Sequence, residues 1–240
     1  NVCAGIRFLS TVGEPGFFRE FVNLPAQNLL PLPANLSPAE GTIVEPLAVA
    51  LHSVTLAAFR IGETAVVFGA GPIGLLTIAS LKLSGVSRLW AVEPVAARRE
   101  LAASLGADAV IDPSQTDPVR QILADTGKRG VDVSFDCAAK QNTTNQCLYV
   151  TRNAGRVIIT GIASESFISL DANPMRRKEL PVLTVRRSNH DSETALHLMA
   201  AEPRRFVPIL SHTRPLTEVQ SSFEQLEAYS GDAVKVVVTP

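Results

Sequence analysis

Between Glu63 and Ala201 the chain repeats one pattern, a short apolar run followed by a helical period. "TAVVFG" (64–69), "RLWAVE" (88–93), "AVID" (109–112), "VDVSFDCA" (131–138), "GRVIITG" (155–161) and "LPVLTVRR" (180–187) read as strands. "PIGLLTIASLKLSG" (72–85), "AARRELAASLG" (96–106), "PVRQILADTG" (118–127), "NTTNQCLYVTR" (142–152) and "SETALHLMAA" (192–201) read as helices, with Gly85 and Gly106 as stop signals. Strands separated by helices pair in parallel through right-handed crossovers. The expected core is therefore an α/β, doubly wound parallel sheet.

The flanks differ in style. Phe17 to Leu32 alternates apolar and polar residues, broken by Pro25, Pro31 and Pro33, and predicts short strands and turns. In "LSPAEGTIVEPLAVALHSV" (36–54), Ser37, Pro38 and Glu40 form an S-x-x-E capping box with proline at the first helical position. Pro46 then restarts or kinks the helix, and Leu47, Ala50, Leu51 and Val54 share one face. After Pro203, "VPILSHTRPL" (207–216) reads as strand and turn, "TEVQSSFEQLEAY" (217–229) as an amphipathic helix and "AVKVVVTP" (233–240) as a strand. Both ends thus belong together as part of a second domain around the inserted sheet.

The chain has 240 residues, 46% hydrophobic and 19% charged, so it can bury a sizeable core. Its net charge of −1 gives no electrostatic reason to expect nucleic acid or an anionic membrane surface. Thr64 to Leu81 is uncharged, but Gly69, Gly71, Pro72 and Gly74 break it, which favours a buried strand and helix over a membrane span. Three scattered cysteines (Cys3, Cys137, Cys147) read as reduced thiols, and a cytoplasmic protein is expected. His190, His197 and His212 are too scattered for a metal site. His52, on the apolar face of its helix, reads as a packed core residue.

"VVFGAGPIGLL" carries G-x-G-x-x-G at Gly69, Gly71 and Gly74, with Pro72 and Ile73 between the last two. It follows a strand and opens a helix, the context in which the pattern binds a dinucleotide. Gly69 allows the tight turn, Gly71 lets backbone approach a pyrophosphate, and Gly74 lets helix and strand pack closely. The helix N-terminus offers free N–H groups to the anion. Glu93 ends the next strand about 20 residues on, where a carboxylate accepts from ribose hydroxyls and repels a 2′-phosphate. NAD is expected over NADP, although Arg98 and Arg99 could accommodate a phosphate.

With that fingerprint placed, "GTIVEPLAVALHS", "VVFGAGPIGLL", "GADAVID", "GVDVSFDCAA", "GRVIITGIAS" and "ILSHTRPLTEVQSSFEQLE" resemble the zinc-dependent medium-chain dehydrogenases, most closely the polyol branch. The resemblance implies a Rossmann sheet over 47–203, flanked by a remnant of a GroES-like β-rich catalytic domain at 1–46 and its return segment at 204–240. It implies NAD-dependent oxidation of a polyol or secondary alcohol. "NVC" resembles the last cysteine of that family's structural-zinc lobe, so Cys3 is expected as its lone remnant. On this reading the chain is N-terminally truncated and lacks the other zinc ligands, so zinc belongs to the full-length protein and is expected to be absent from this chain.

By the same resemblance Glu45 stands beside the catalytic zinc, where a carboxylate tunes the metal-bound oxygen. From the residues alone it reads first as a carboxylate stabilised at a helix N-terminus. Thr160, Gly161 and Ile162 match the strand end that meets the nicotinamide riboside. Val185, Arg186 and Arg187 match the segment that holds the carboxamide, with Arg187 and Ser188 facing substrate. Arg186 and Ser188 stand where sorbitol dehydrogenase has aromatic residues, and the two arginines alone read as exposed charges on an edge strand. The sixth strand is expected to pair across a two-fold axis, giving a homodimer or homotetramer. Two other readings are a zinc-free reductase of the quinone-oxidoreductase type, which has no use for Glu45, and a non-catalytic nucleotide-binding module.

Overall fold

Six strands hydrogen-bond side by side at the centre of the computed structural model, which describes residues 1–228 and 232–240. They are β1 (Thr64–Phe68), β2 (Arg88–Val92), β3 (Ala109–Ile111), β4 (Val131–Asp136), β5 (Thr151–Ile159) and β6 (Val182–Thr184). Their order is β3-β2-β1-β4-β5-β6, and every neighbouring pair is parallel. This is the Rossmann order, and it reverses between β1 and β4, where a crevice opens beyond the strands' C-terminal ends.

Ten helices accompany the strands among the described residues: α1 (Pro38–Gly41), α2 (Val44–Leu56), α3 (Pro72–Leu83), α4 (Ala96–Ser104), α5 (Pro118–Asp125), α6 (Gln141–Val150), α7 (Ala172–Arg177), α8 (Ser192–Ala201), α9 (Pro203–Phe206) and α10 (Val219–Glu227). The sheet is buried on both faces, which is why its strands are unbroken apolar runs. One apolar cluster joins Val67 and Phe135 to Leu47 of α2, Leu75 and Ile78 of α3 and Met199 of α8. The other joins Phe68, Trp90 and Val157 to Ile122 of α5 and Leu148 of α6. Two further strands, β7 (Leu210–Pro215) and β8 (Lys235–Thr239), pair with each other in parallel.

Local signals explain the helix starts. The Ser37 side chain accepts from the Glu40 N–H and the Glu40 carboxylate accepts from the Ser37 N–H, the reciprocal capping box. Val44 opens a fresh helix with Pro46 in its first turn, so Pro46 marks a restart. Asp117 caps α5 by accepting from the Val119 and Arg120 N–H groups.

Three expectations need correction. No strand forms over 17–32; that stretch holds only a short 3-10 turn at Ala26–Asn28, and Phe17, Phe18, Phe21 and Leu29 are exposed. Alternation supplies a pleat but not a partner edge, and none of the described strands pairs with it. The helix thought to reach Arg152 stops at Val150, and β5 begins at once. Lys178 causes this by donating from Nζ to the carbonyls of Leu148, Tyr149 and Thr151, which satisfies the helix end without a loop. The sixth strand is only three residues long, because Pro181 precedes it and the chain turns at Arg187. The expected end of α10 at Tyr229 lies outside the described residues. No helix among the described residues is long and apolar enough to cross a membrane.

Candidate functional site

The crevice between β1 and β4 is lined by the turn after β1. Gly69 has φ +89°, and a Cβ there would meet Ala138 Cβ at 3.0 Å. A Cβ on Gly74 would lie 1.9 Å from the Gly69 carbonyl oxygen, so helix and turn could not close together. Gly71 is different. Its φ of −70° suits any residue, and a Cβ would meet nothing within 4 Å. Its missing side chain therefore leaves room rather than permitting a turn. Pro72 is the first residue of α3, Ile73 the second, and no side chain caps this helix start. Its first N–H groups are thus available to an anion. The cavity here has a volume of about 410 Å³ and includes Gly69, Gly71, Glu93, Arg98 and Lys140 in its wall.

Glu93 lies just beyond β2 and is 4% exposed. Its carboxylate accepts from the Ala70 N–H at 2.7 Å and the Val95 N–H at 3.0 Å, which ties it to the glycine turn. The two arginines that follow are distinguishable in place. Arg99 donates to the carbonyls of Glu93 and Pro94 and pairs with Asp112 at 3.0 Å. Arg98 is buried, lines the cavity and donates to the Ala233 carbonyl at 3.0 Å.

Asp136, at the end of β4, was not among the residues the sequence suggested. It is fully buried. One carboxylate oxygen accepts from the N–H groups of Ala138 and Ala139 and from the Thr143 hydroxyl, and the other accepts from the Thr144 hydroxyl at 2.6 Å. Its backbone carbonyl also accepts from the N–H groups of Thr160 and Gly161, both at 2.9 Å. One residue therefore joins the two loops that flank the crevice. The available signal was an acid closing an apolar strand, followed by a Thr-Thr pair at the next helix start. Lys140, Asn142, Thr143 and Gln146 of that same segment line the cavity and were also missed. Burial pushes the neighbouring Cys137 thiol up to about 12, the Asp136 charge adds to this, and hydrogen bonds from Thr77 and Thr160 only partly offset it.

Helix α6 also holds the segment that leaves β5. The Gln141 side chain accepts from the Ser169 N–H and donates to the Ser169 carbonyl. The Asn145 side chain donates to that same carbonyl and accepts from the Asp171 N–H, both at 2.8 Å.

The remaining residues singled out in the sequence lie around the ends of β5 and β6 and on α2. Thr160 is buried and donates to Ser53, Gly161 is wedged against Cys137 and Ala139, and Ile162 is 95% exposed. The Val185 N–H donates to the Ile159 carbonyl, extending the β6 pairing by one residue. Arg186 donates to the Asn1 carbonyl at 2.7 Å, and its own carbonyl accepts from the Asn1 side chain at 2.9 Å. Arg187 has φ +58° and stacks on Phe8, 3.6 Å from the ring centroid. Ser188 is half-buried. Glu45 is exposed in the first turn of α2. Partial burial lowers the Lys235 ammonium, and the negative charge of Glu45 opposes that shift.

His52 needs a different description from the one the sequence suggested. It is half-buried, with Nδ1 3.7 Å from Asp191 and Nε2 3.2 Å from the Asn1 side chain, so it joins a polar seam. Cys3 is exposed, and Cys147 is buried. Among the described residues no three His, Cys, Asp or Glu side chains come together in a way that could hold a metal ion.

Residues 72–201 match the family described as zinc-binding dehydrogenase. The (R,R)-butanediol dehydrogenase of Bacillus subtilis is 40% identical over 162 residues, covering 68% of this chain and 46% of that protein. The sorbitol dehydrogenase of Bombyx mori is 30% identical over 99% of this chain and 68% of its own length. A crystal structure of a putative zinc-binding dehydrogenase from Sinorhizobium meliloti 1021, bound to NADP, superposes with a TM-score of 0.88 at 30% identity, over 95% of this chain and 67% of that one. The chain thus spans about half to two thirds of the length of these relatives.

Proposed function

Because the chain belongs to the zinc-binding dehydrogenase family, we propose that it serves an oxidoreductase that moves a hydride between an alcohol and NAD. The observation that carries this reading is the open space at Gly71 above an uncapped helix start, with the Glu93 carboxylate in the same cavity. A diphosphate in that space would accept from the α3 N–H groups. Glu93 would then hold the adenosine ribose, and a 2′-phosphate would meet its charge in a site shielded from solvent. Arg99 is committed to Asp112, which leaves Arg98 and Lys140 as the cations in the cavity wall that could favour NADP. NAD is the cofactor we assign.

The nicotinamide, when bound, supplies the hydride acceptor. This chain's part is to orient it. We assign the nicotinamide end to the backbone of Thr160, Gly161 and Ile162 and to the Val185–Arg187 segment. Glu45 is assigned beside the reacting hydroxyl, and Arg187 and Ser188 beside the rest of the substrate. The described residues do not assemble a zinc ligand set. Residues 47–203 form the nucleotide-binding unit on this reading, the two flanks belong to a catalytic domain, and the substrate is a polyol or secondary alcohol. The exposed edge of β6 is the surface assigned to a second copy.

Titration of the protein with NAD, NADH and NADP, followed by calorimetry, tests the cofactor assignment. NAD should bind at least 10-fold more tightly than NADP, and Glu93→Ala should narrow that ratio. Tighter binding of NADP to the wild type would reject it.

A further inference from the structure

Arg187 is held in a conformation that ordinary packing does not require. Its φ of +58° places a non-glycine residue in the left-handed region, which persists only where the surroundings enforce it. They do so through the two residues before it: the Val185 N–H is anchored to Ile159, and Arg186 is bound reciprocally to Asn1. The result is that the guanidinium carbon sits over the Phe8 ring, 3.6 Å from its centroid, whereas that of Arg186 is 5.7 Å from the same centroid. A guanidinium that stacks by its face keeps its N–H donors at its edge. Arg187 is exposed, and among the described residues no hydrogen bond or ion pair reaches that edge. It is a preset, planar fork.

We propose that Arg187, backed by Phe8, is a carboxylate receptor, so that the alcohol oxidised is a hydroxy acid of the sugar-acid kind rather than a neutral polyol. This inference rests on the dehydrogenase reading above and narrows its substrate class. A planar two-oxygen anion engages such a fork through two parallel hydrogen bonds, which scattered hydroxyls do not match. The cofactor's diphosphate is not the partner. It belongs at the end of β1, and β6 lies three strands away through β4 and β5. At about 4.8 Å per step the separation is roughly 14 Å. Phe8 is a positioning residue, acting only through Arg187.

The test uses gluconate and sorbitol, which share a carbon chain and differ by carboxylate against hydroxymethyl, with sorbitol 6-phosphate as a third probe. NADH binding is first measured by its fluorescence. Each probe is then titrated calorimetrically with and without NADH. Gluconate should bind at least 10-fold more tightly than either of the others. Arg187→Gln should weaken gluconate at least 10-fold and sorbitol by a much smaller factor. Phe8→Leu should weaken gluconate several-fold, and Phe8→Tyr should restore it, which a purely structural role for Phe8 would not produce. Equal binding of gluconate and sorbitol, preference for the phosphate, equal losses on Arg187→Gln, or no binding of any probe overturns the assignment. Failure to bind NADH overturns the dehydrogenase reading, while gluconate binding that depends on Arg187 would still stand.

Discussion

Gly71 and Gly74 lie three residues apart, yet substituting them should have opposite consequences. Alanine at 71 meets no atom and an ordinary φ, so Gly71→Ala should unfold within about 0.5 kcal/mol of the wild type. It should nevertheless weaken NADH binding at least 10-fold, because the methyl occupies the space assigned to the diphosphate. Alanine at 74 drives a methyl into the Gly69 carbonyl, so Gly74→Ala should lose about 3 kcal/mol or more. Paired thermal unfolding and NADH titration distinguish the two, and a Gly71→Ala protein that melts as early as Gly74→Ala would contradict this account. The thiols offer a second check. Burial holds Cys137 at about 12 and Cys147 well above the ordinary thiol range, so neither has thiolate at neutral pH. Ellman's reagent should label only exposed Cys3 in the folded protein, and all three cysteines after denaturation. Rapid labelling of Cys137 would show that its surroundings are wetter than described.

Among the elements, the N-terminal edges of β1, β4 and β5 are joined by one carboxylate. Burial alone would raise the Asp132 carboxyl, but hydrogen bonds from Arg129, the Thr64 N–H, Arg152 and the Thr64 hydroxyl outweigh it and hold the group well below the usual carboxylate range. A carboxyl depressed on folding contributes stability that is complete above its unfolded value of about 3.9. That contribution is lost as the pH falls through 4 toward the folded value. Asp132→Asn should therefore cost about 2 kcal/mol at pH 7, less than a fully buried pair because Arg129 is half exposed. The difference from wild type should shrink as the pH falls from 4 to 2. Urea unfolding across that range measures it, and a constant difference would show that the charge is not responsible. This network was not visible in the sequence, because Thr64, Asp132 and Arg152 are brought together only by strand order. Most of the sheet strands and their long helices were visible, as buried apolar runs or helical periods, whereas the short helices α7 and α9 were not. Where local signals failed, a distant side chain had intervened, as Lys178 does at the join of α6 and β5. The glycine cradle and Glu93 were legible because their spacing is set by one turn. Asp136 was not, because a lone acid at a strand end has no diagnostic spacing even though its carboxylate partners are local, and Phe8 was not, because its role depends on tertiary stacking.

At the scale of the whole molecule, the surface is uneven. Phe17, Phe18 and Phe21 are 59%, 61% and 86% exposed outside any strand, and Phe167 is 88% exposed, whereas Phe68, Phe135 and Phe206 are fully buried. Brief chymotrypsin digestion should cut first after Phe17, Phe18, Phe21 and Phe167, leaving the six-stranded body protected. Early cleavage inside the sheet would contradict the architecture. Cofactor should also slow the cut at Phe167 more than the cuts near Phe21, because helix α6 both lines the cavity and grips Ser169 and Asp171. That double grip makes α6 a shared hinge pin: whatever steadies its cavity side steadies the departing chain as well. Amide protons at 138–139 and at 169–171 should then trade with deuterium in step, as a single opening unit, and slow together once the nucleotide is seated.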